Sequence, residues 1–441
     1  MQQYIKYWVS AIILVGITIV FGLLLKKERT YLSTSLKAAA WLQSVSIETD
    51  NGKVWPADPG DPTSISADLY SGNSGVIIFF VELYRTTQNK SFLQEARSGA
   101  NYLLTTLPDT LINPWQIGLY NGVAGVGFAL EETYKTTKDI KYHEGALKCL
   151  KLLHVSAQSV GKGAEWNNVT DIMSGSAGIG LFLLYSARYM EHKASLNLAI
   201  QIGRRLLELA IPEKGGLKWR MNPDYDRLMP NFSHGTAGIS YFLVSLYAAT
   251  REVDFLNGAL AGATYLQKIT NEQGLIFHHE PGGENFFYLG WRHGPAGTAR
   301  LYYRLWKETD DNKWLHALNR AATGIILSGI PDQHTPCFWN NVGQCCGSAG
   351  VAEFFLNLHK VTGRQNYLDF SRRVTADLLA RATSKGDGLK WIQAEYRSKP
   401  ELLAAQTGYM QGAAGIGMCL LHFDAFEQGK EPGIVLPDVP F

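Results

Sequence analysis

The chain has little charge, and what it has nearly cancels. Asp, Glu, Lys and Arg make up 18% of 441 residues, with 41 basic against 39 acidic. No general field therefore draws the protein to nucleic acid or to an acidic polymer, and a nucleic-acid partner is excluded on that ground. Cysteine is also scarce. Cys149, Cys337, Cys345, Cys346 and Cys419 are odd in number and too few to staple a chain of this size. Reduced thiols or metal ligands are expected instead. Charge is absent altogether from one apolar stretch at the start. Tyr7 to Leu25 carries no charge and lies between Lys6 and Lys26-Lys27-Glu28-Arg29, close to the ~20 residues that cross a bilayer. It predicts a membrane anchor over residues 1–29 and a single-pass protein with its main domain at residues 30–441. The heavier basic flank after the run puts that domain on the cytoplasmic side, with a periplasmic or extracellular placement as the alternative.

Glycine, by contrast, is abundant, and it is periodic. A Gly-x-x-Gly turn recurs at Gly72–Gly75, Gly122–Gly125, Gly175–Gly178, Gly235–Gly238, Gly294–Gly297, Gly347–Gly350 and Gly412–Gly415. A period of about 50 to 65 residues marks a solenoid-type or toroid-type architecture. An apolar segment such as Val76-Ile77-Ile78-Phe79-Phe80 or Ile239-Ser240-Tyr241-Phe242-Leu243 follows each turn. Helices apolar nearly all round are buried on more than one side. Each then passes through a short polar join into a second helix with apolar residues three and four apart, as in Ala146, Cys149, Leu150 and Leu153. With one further helix over Leu32–Leu42, fourteen helices form seven pairs. The simplest packing is an all-α closed α/α toroid, with inner and outer helix rings.

The segments before the turns are rich in Trp, Gly and Asn, as in Gly216-Leu217-Lys218-Trp219 and Gly388-Leu389-Lys390-Trp391. They are expected to form extended loops or small hairpins at one end of the toroid, around the inner-helix N-termini. That end is the candidate active face, because helix N-termini present free N–H groups and a positive dipole end. The residues before the turns differ from repeat to repeat. Asp171 stands before the third turn, His234 before the fourth, Trp291-Arg292-His293 before the fifth and Cys345-Cys346 before the sixth. A shared register implies a shared rim. Thiol and imidazole together suit zinc, which in catalytic sites takes three protein ligands and keeps one position open. His293, Cys345 and Cys346 supply that number, with Trp339 beside them. Another reading is a glycan-active toroid, with Trp166, Trp219, Trp339 and Trp391 as sugar platforms and Asp171 with Glu280 as paired carboxylates.

The ordered motifs Ser233-His234-Gly235-Thr236-Ala237-Gly238, Trp291-Arg292-His293-Gly294 and Cys345-Cys346-Gly347-Ser348-Ala349-Gly350 resemble the lanthionine synthetase C-like (LanC-like) family across nearly all of the chain after residue 29. The resemblance implies an α/α toroid with zinc at its mouth. It also implies an activity in which a thiol adds to an electrophilic alkene to form a thioether, on a peptide cysteine or a small-molecule thiol. His234 and Asp171 match the family's catalytic histidine and aspartate. Two of the family's three zinc ligands are changed, since Arg292 stands at a cysteine position and Cys346 at the histidine position. Tyr288 lies near the place of a family arginine. One reading is exchange, with His293, Cys345 and Cys346 keeping a zinc set. Another is loss of zinc, leaving a non-catalytic module that binds a peptide or anion through Arg292, Trp291, Tyr288 and Trp339. The paired thiols also leave open a vicinal disulfide.

Overall fold

The computed structural model describes residues 29–111, 116–334, 341–394 and 399–441. Among these are fourteen helices. The outer ring consists of α1 (Thr30–Ser44), α3 (Lys90–Thr106), α5 (Ile140–Ser156), α7 (Lys193–Glu208), α9 (Val253–Ile269), α11 (Asn312–Leu327) and α13 (Gln365–Ala380). The inner ring consists of α2 (Asn73–Thr87), α4 (Val123–Thr137), α6 (Ser176–Tyr189), α8 (Thr236–Thr250), α10 (Pro295–Thr309), α12 (Ser348–Thr362) and α14 (Ala413–Glu427). Each inner helix packs on its neighbour in the ring, and α14 returns to α2. The inner helices are buried nearly all round, with Ile239, Phe242 and Leu243 of α8 fully enclosed. The all-helical toroid is therefore as the repeats imply.

The pairing has one feature that adjacency in sequence does not give. Six inner helices pair with the outer helix that follows, whereas α1 pairs with α14, the last helix. Ser35 Oγ donates to the Gly417 carbonyl at 3.0 Å, and Arg29 Nε donates to Asp424 at 2.9 Å. The two ends of the helical body thus close the ring. The joins inside the pairs repeat as well. Gln88, Lys138, Arg251, Asp310 and Gly363 end α2, α4, α8, α10 and α12 in the left-handed region. Each turns its N–H back to a carbonyl of the last helical turn, which satisfies a helix end in little space.

Small antiparallel hairpins precede four of the turns: β1 (Ile47–Thr49) with β2 (Gly52–Val54), β3 (Gln158–Val160) with β4 (Gly163–Glu165), β5 (Ile211–Glu213) with β6 (Gly216–Lys218), and β7 (Ala382–Lys385) with β8 (Gly388–Trp391). A shorter pair, β9 (Gln393–Ala394) with β10 (Leu403–Ala404), follows β8. A tryptophan after or at the end of the second strand fixes each of the four hairpins. Trp55, Trp166, Trp219 and Trp391 donate their indole N–H to Leu42, Leu153, Leu206 and Leu378, each thirteen residues earlier. All four rings are buried. Trp166, Trp219 and Trp391 are therefore loop anchors and not sugar platforms, and Trp339 lies outside the described residues.

The membrane expectation is corrected. Among the described residues no helix is long and apolar enough to cross a membrane, and the run Tyr7–Leu25 lies outside them.

A candidate acid–base and thiol site at the toroid mouth

The repeated turn builds its own floor. Two residues before the first glycine, or three at Ile172 in the third repeat, backbone hydrogen bonds link each repeat to the next around the mouth. Tyr70 N–H donates to Tyr120, Tyr120 to Met173, Ile172 to Ser233, Ser233 to Arg292, Arg292 to Cys345, Cys345 to Met410 and Met410 back to Tyr70, at 2.8–3.2 Å. The second glycine of a turn lets the helix start lie against the carbonyl six residues before it. A Cβ at Gly350 would lie 2.0 Å from the Gln344 oxygen, a distance no side chain tolerates. The ring holds the residues at positions −2 and −1 at one level, which is how residues from distant parts of the chain come together.

Asp171 and His234 are paired there. Asp171 Oδ2 lies 2.6 Å from His234 Nδ1, and Asp171 is 1% exposed. Asp171 also accepts the Ser174 N–H at 2.7 Å, which fixes its carboxylate. On the far side of the imidazole, Arg292 brings Nε and Nη2 to 3.2 Å from Nε2. Asp171 accepts the Nδ1–H hydrogen bond, so Nε2 is the lone-pair nitrogen and faces the guanidinium. Burial lowers the His234 pKa, Asp171 opposes that, and Arg292 lowers it further. The arrangement is a neutral imidazole oriented by a carboxylate, with a fixed cation at its reactive nitrogen.

The thiols form a second cluster. Cys345 and Cys346 bring their sulfurs to 3.1 Å, and Tyr70 donates its hydroxyl to Cys345 Sγ at 3.1 Å. Gln411 donates to the Tyr70 oxygen at 2.8 Å. Burial beside Cys345 drives the Tyr70 pKa well up, which keeps the hydroxyl a donor.

His293 sits in a third group that the sequence reading missed. Its ring lies 4.2 Å from His278, 5.5 Å from His234 and 5.7 Å from Tyr288, between centroids. His278 and His279 approach through their Nδ1 atoms at 2.6 Å. His293 is buried, and its Nδ1 has no hydrogen-bond partner among the described residues. Burial, then Arg292 and the neighbouring histidines, lower its pKa well below the usual imidazole range. The adjacent His278-His279, so close before the fifth turn, was the available signal; Tyr70 could have been found as the first repeat's counterpart of Cys345.

Two expected roles change. Trp291 points away from the mouth into the bore, where its indole N–H donates to Asp438 Oδ2 at 2.8 Å and its ring packs on Tyr120 and Phe232. It is 2% exposed and so is not placed to contact substrate. Glu280 does not pair with Asp171. It accepts from Lys218 and Tyr265, each at 3.2 Å, whereas Asp171 is engaged by His234 and Ser174, so the two carboxylates share no hydrogen-bond partner. Nor do His293, Cys345 and Cys346 fit zinc as a set. The thiols contact each other and Tyr70, His293 packs on His278, and the Arg292 guanidinium stands beside His234. Among the described residues no group of three or more His, Cys, Asp or Glu side chains is arranged to hold a metal. A concavity of about 900 Å³ is lined by Lys135, Tyr185, Arg304 and Leu436, with no candidate residue among its walls.

A closed α/α toroid that carries an Asp–His–Arg array and paired thiols on one rim places the chain among the helical barrels. The particular family follows from the sequence, for residues 63–436 match the lanthionine synthetase C-like proteins, and the chain belongs to that family. Among solved structures it is similar to nisin cyclase, at 15% identity over 91% of this chain and 95% of that one, with a TM-score of 0.65. It is also similar to an inactive variant of an alpha-1,6-mannanase from a Salegentibacter species, solved with alpha-1,6-mannotriose, at 13% identity over 89% and 98% with a TM-score of 0.50. A sugar epimerase from a ruminal bacterium matches at 11% identity over 91% and 99%, again with a TM-score of 0.50. These likenesses show a shared fold.

Proposed function

We propose that this protein adds a thiol, from a peptide cysteine or a small molecule, to an electron-poor alkene to give a thioether. The observation that carries the reading is the line Asp171–His234–Arg292, 2.6 Å and 3.2 Å between its members. Family membership supports the reaction class. When the Arg292 guanidinium turns from Nε2 toward the incoming sulfur, His234 Nε2 takes the thiol proton, while Asp171 holds the ring in the tautomer that puts the lone pair on this nitrogen and stabilises the imidazolium that forms. The thiolate sulfur bonds to the β carbon, and the alkene electrons move to an enolate. Arg292 sits where a fixed positive charge lowers the energy of both anions. The imidazolium then returns its proton to the α carbon, so the addition balances with no other reactant. Zinc, which the family implies, enters no step, because the residues expected to hold it do not converge here.

Turnover of a dehydroalanine-containing peptide with an added thiol tests the reading. His234→Ala is expected to lower the rate by roughly 100-fold or more, with the fold retained by circular dichroism. Equal turnover in wild type and His234→Ala would sink the proposal. No turnover in wild type, together with an anionic peptide held in an Arg292-dependent manner, would establish the binding-module reading instead.

A further inference from the structure

We propose that Cys345 and Cys346 form a vicinal dithiol that exchanges with small-molecule disulfides and closes reversibly to a disulfide between neighbouring residues. This inference does not rest on the thioether reading. Adjacent side chains on a regular strand or helix point in different directions, yet here the two sulfurs converge to 3.1 Å. A disulfide needs ~2.05 Å, so closure asks for a movement of about 1 Å. The surroundings hold the pair in that posture. Cys345 N–H donates to Met410 at 2.9 Å and its carbonyl accepts from Arg292 at 3.0 Å, which fixes its peptide in the mouth ring. A Cβ at Gly290 would stand 2.7 Å from Cys346 Cα, so the preceding loop packs directly on the second cysteine. Tyr70, itself held by Gln411, donates to the Cys345 sulfur.

Exposure divides the roles. Cys346 is partly exposed, whereas Cys345 is fully buried. Cys346 gives its proton to solvent, and its thiolate attacks one sulfur of a small disulfide, forms a mixed disulfide and releases one small thiolate, which takes up a proton from solvent. Cys345 then attacks the Cys346 sulfur, expels the second small thiolate and passes its own proton to it. Two protein thiols lose two electrons in total, and the small disulfide is reduced to two thiols. The eight-membered ring that results belongs to the strained, easily reduced class. Cys149 and Cys419 are buried elsewhere, and Cys419 donates to the Ala349 carbonyl, so they serve as internal controls.

The test equilibrates the full chain with mixtures of oxidised and reduced glutathione, quenches in acid, alkylates, and maps peptides by mass. At the oxidising end the peptide bearing Cys345 and Cys346 should resist alkylation and weigh two hydrogens less, and reduced glutathione should restore it. Phenylarsine oxide, which needs two close thiols, should bind at one equivalent and at least 100-fold more weakly to Cys346→Ser. In Cys345→Ser a glutathione adduct should persist on Cys346. Two alkylated thiols at the most oxidising mixture would overturn the proposal. So would an unresolved glutathione adduct on Cys346 of the wild type, or an equivalent of zinc that blocks both reagents. The wild-type measurements stand even if a variant fails to fold.

Discussion

The mouth ring has two arcs that share one backbone and differ in what they carry. The arc from the third to the sixth repeat bears Asp171, His234, Arg292, His293, Cys345 and Cys346. The arc through the seventh, first and second repeats bears Met410, Gln411, Tyr70, Ser71, Tyr120 and Asn121 at the two positions before the first glycine, and its Asp68 is the first repeat's counterpart of Asp171, four residues before that glycine. Hydrogen bonds of 2.8–3.2 Å run through both, stepping from Met173 to Ile172 in the third repeat. The ring is thus a scaffold requirement, met by glycine and backbone alone, and the chemistry is confined to side chains that the scaffold leaves unspecified. The quieter arc still contributes, since Tyr70 reaches Cys345 and Gln411 holds Tyr70.

What ties the arcs together from below is the C-terminal segment, and removing that tie should produce the largest effect. Asp438 is fully buried in the bore, where it accepts from Tyr120 of one arc at 3.0 Å and from Trp291 and Arg300 of the other, each at 2.8 Å. Phe441 packs on Tyr303 and Phe354 beside it. Asp438→Ala leaves Arg300 with an uncompensated charge, a loss of about 3–5 kcal/mol in stability, readable by urea denaturation. A cost under about 1 kcal/mol would mean that the arcs do not depend on the tail.

The glycines offer a test of the shared backbone. Gly350 of the chemical arc and Gly125 of the quieter one each face a carbonyl at 2.0 and 2.2 Å from a built Cβ. Alanine at either position should cost similar amounts, on the order of 1–3 kcal/mol. A large cost at Gly350 alone would show that the ring is built for the site and not for the fold.

The chemical arc is distinguished further by pH. Burial holds His234 and His293 below the ordinary imidazole pKa of ~6.5. As pH falls, the unfolded chain takes up these protons first. The stability gained by keeping both rings neutral is complete above ~6.5 and is lost as pH drops toward the folded values. The acid limb of the rate should lie below ~6.5 for the same reason. Arg292→Gln removes a cation that lowers the His234 pKa and should move that limb upward, and Asp171→Asn should move it downward. Histidine titration by NMR reads both shifts without an activity assay, and shifts of the same sign would contradict the assigned line.

Much of this was legible in the sequence because the repeat sets backbone register. Seven Gly-x-x-Gly turns at near-constant spacing imply the helix pairs, the ring and the shared rim, and the rim placed Asp171 near His234. Register does not fix where a single side chain turns. Trp291 and Arg292 are neighbours on one turn, yet one enters the bore and the other the mouth, a choice made by Asp438 from a segment 147 residues away. The pairing of α1 with α14 was equally hidden, since a ring closes between elements with no local signal for each other. The zinc set looked complete by count, but three residues at one level need not converge on one point.

The smallest effect concerns the hairpins outside the rim, where repeat identity is most nearly complete. In Trp219→Phe the ring remains to fill its buried site, but the indole N–H no longer satisfies the Leu206 carbonyl. Loss of one neutral hydrogen bond costs about 1 kcal/mol. Trp55→Phe should cost the same, because Trp55 caps Leu42 through an identical thirteen-residue loop before the first turn. These hairpins lead into turns on both arcs, so equal costs, with thiol-addition rates within about twofold of wild type after correction for folded fraction, would assign the tryptophans to the scaffold alone. A rate loss confined to Trp219→Phe, whose hairpin leads into the His234 turn, would instead show that the outer loops help set the geometry of the chemical arc.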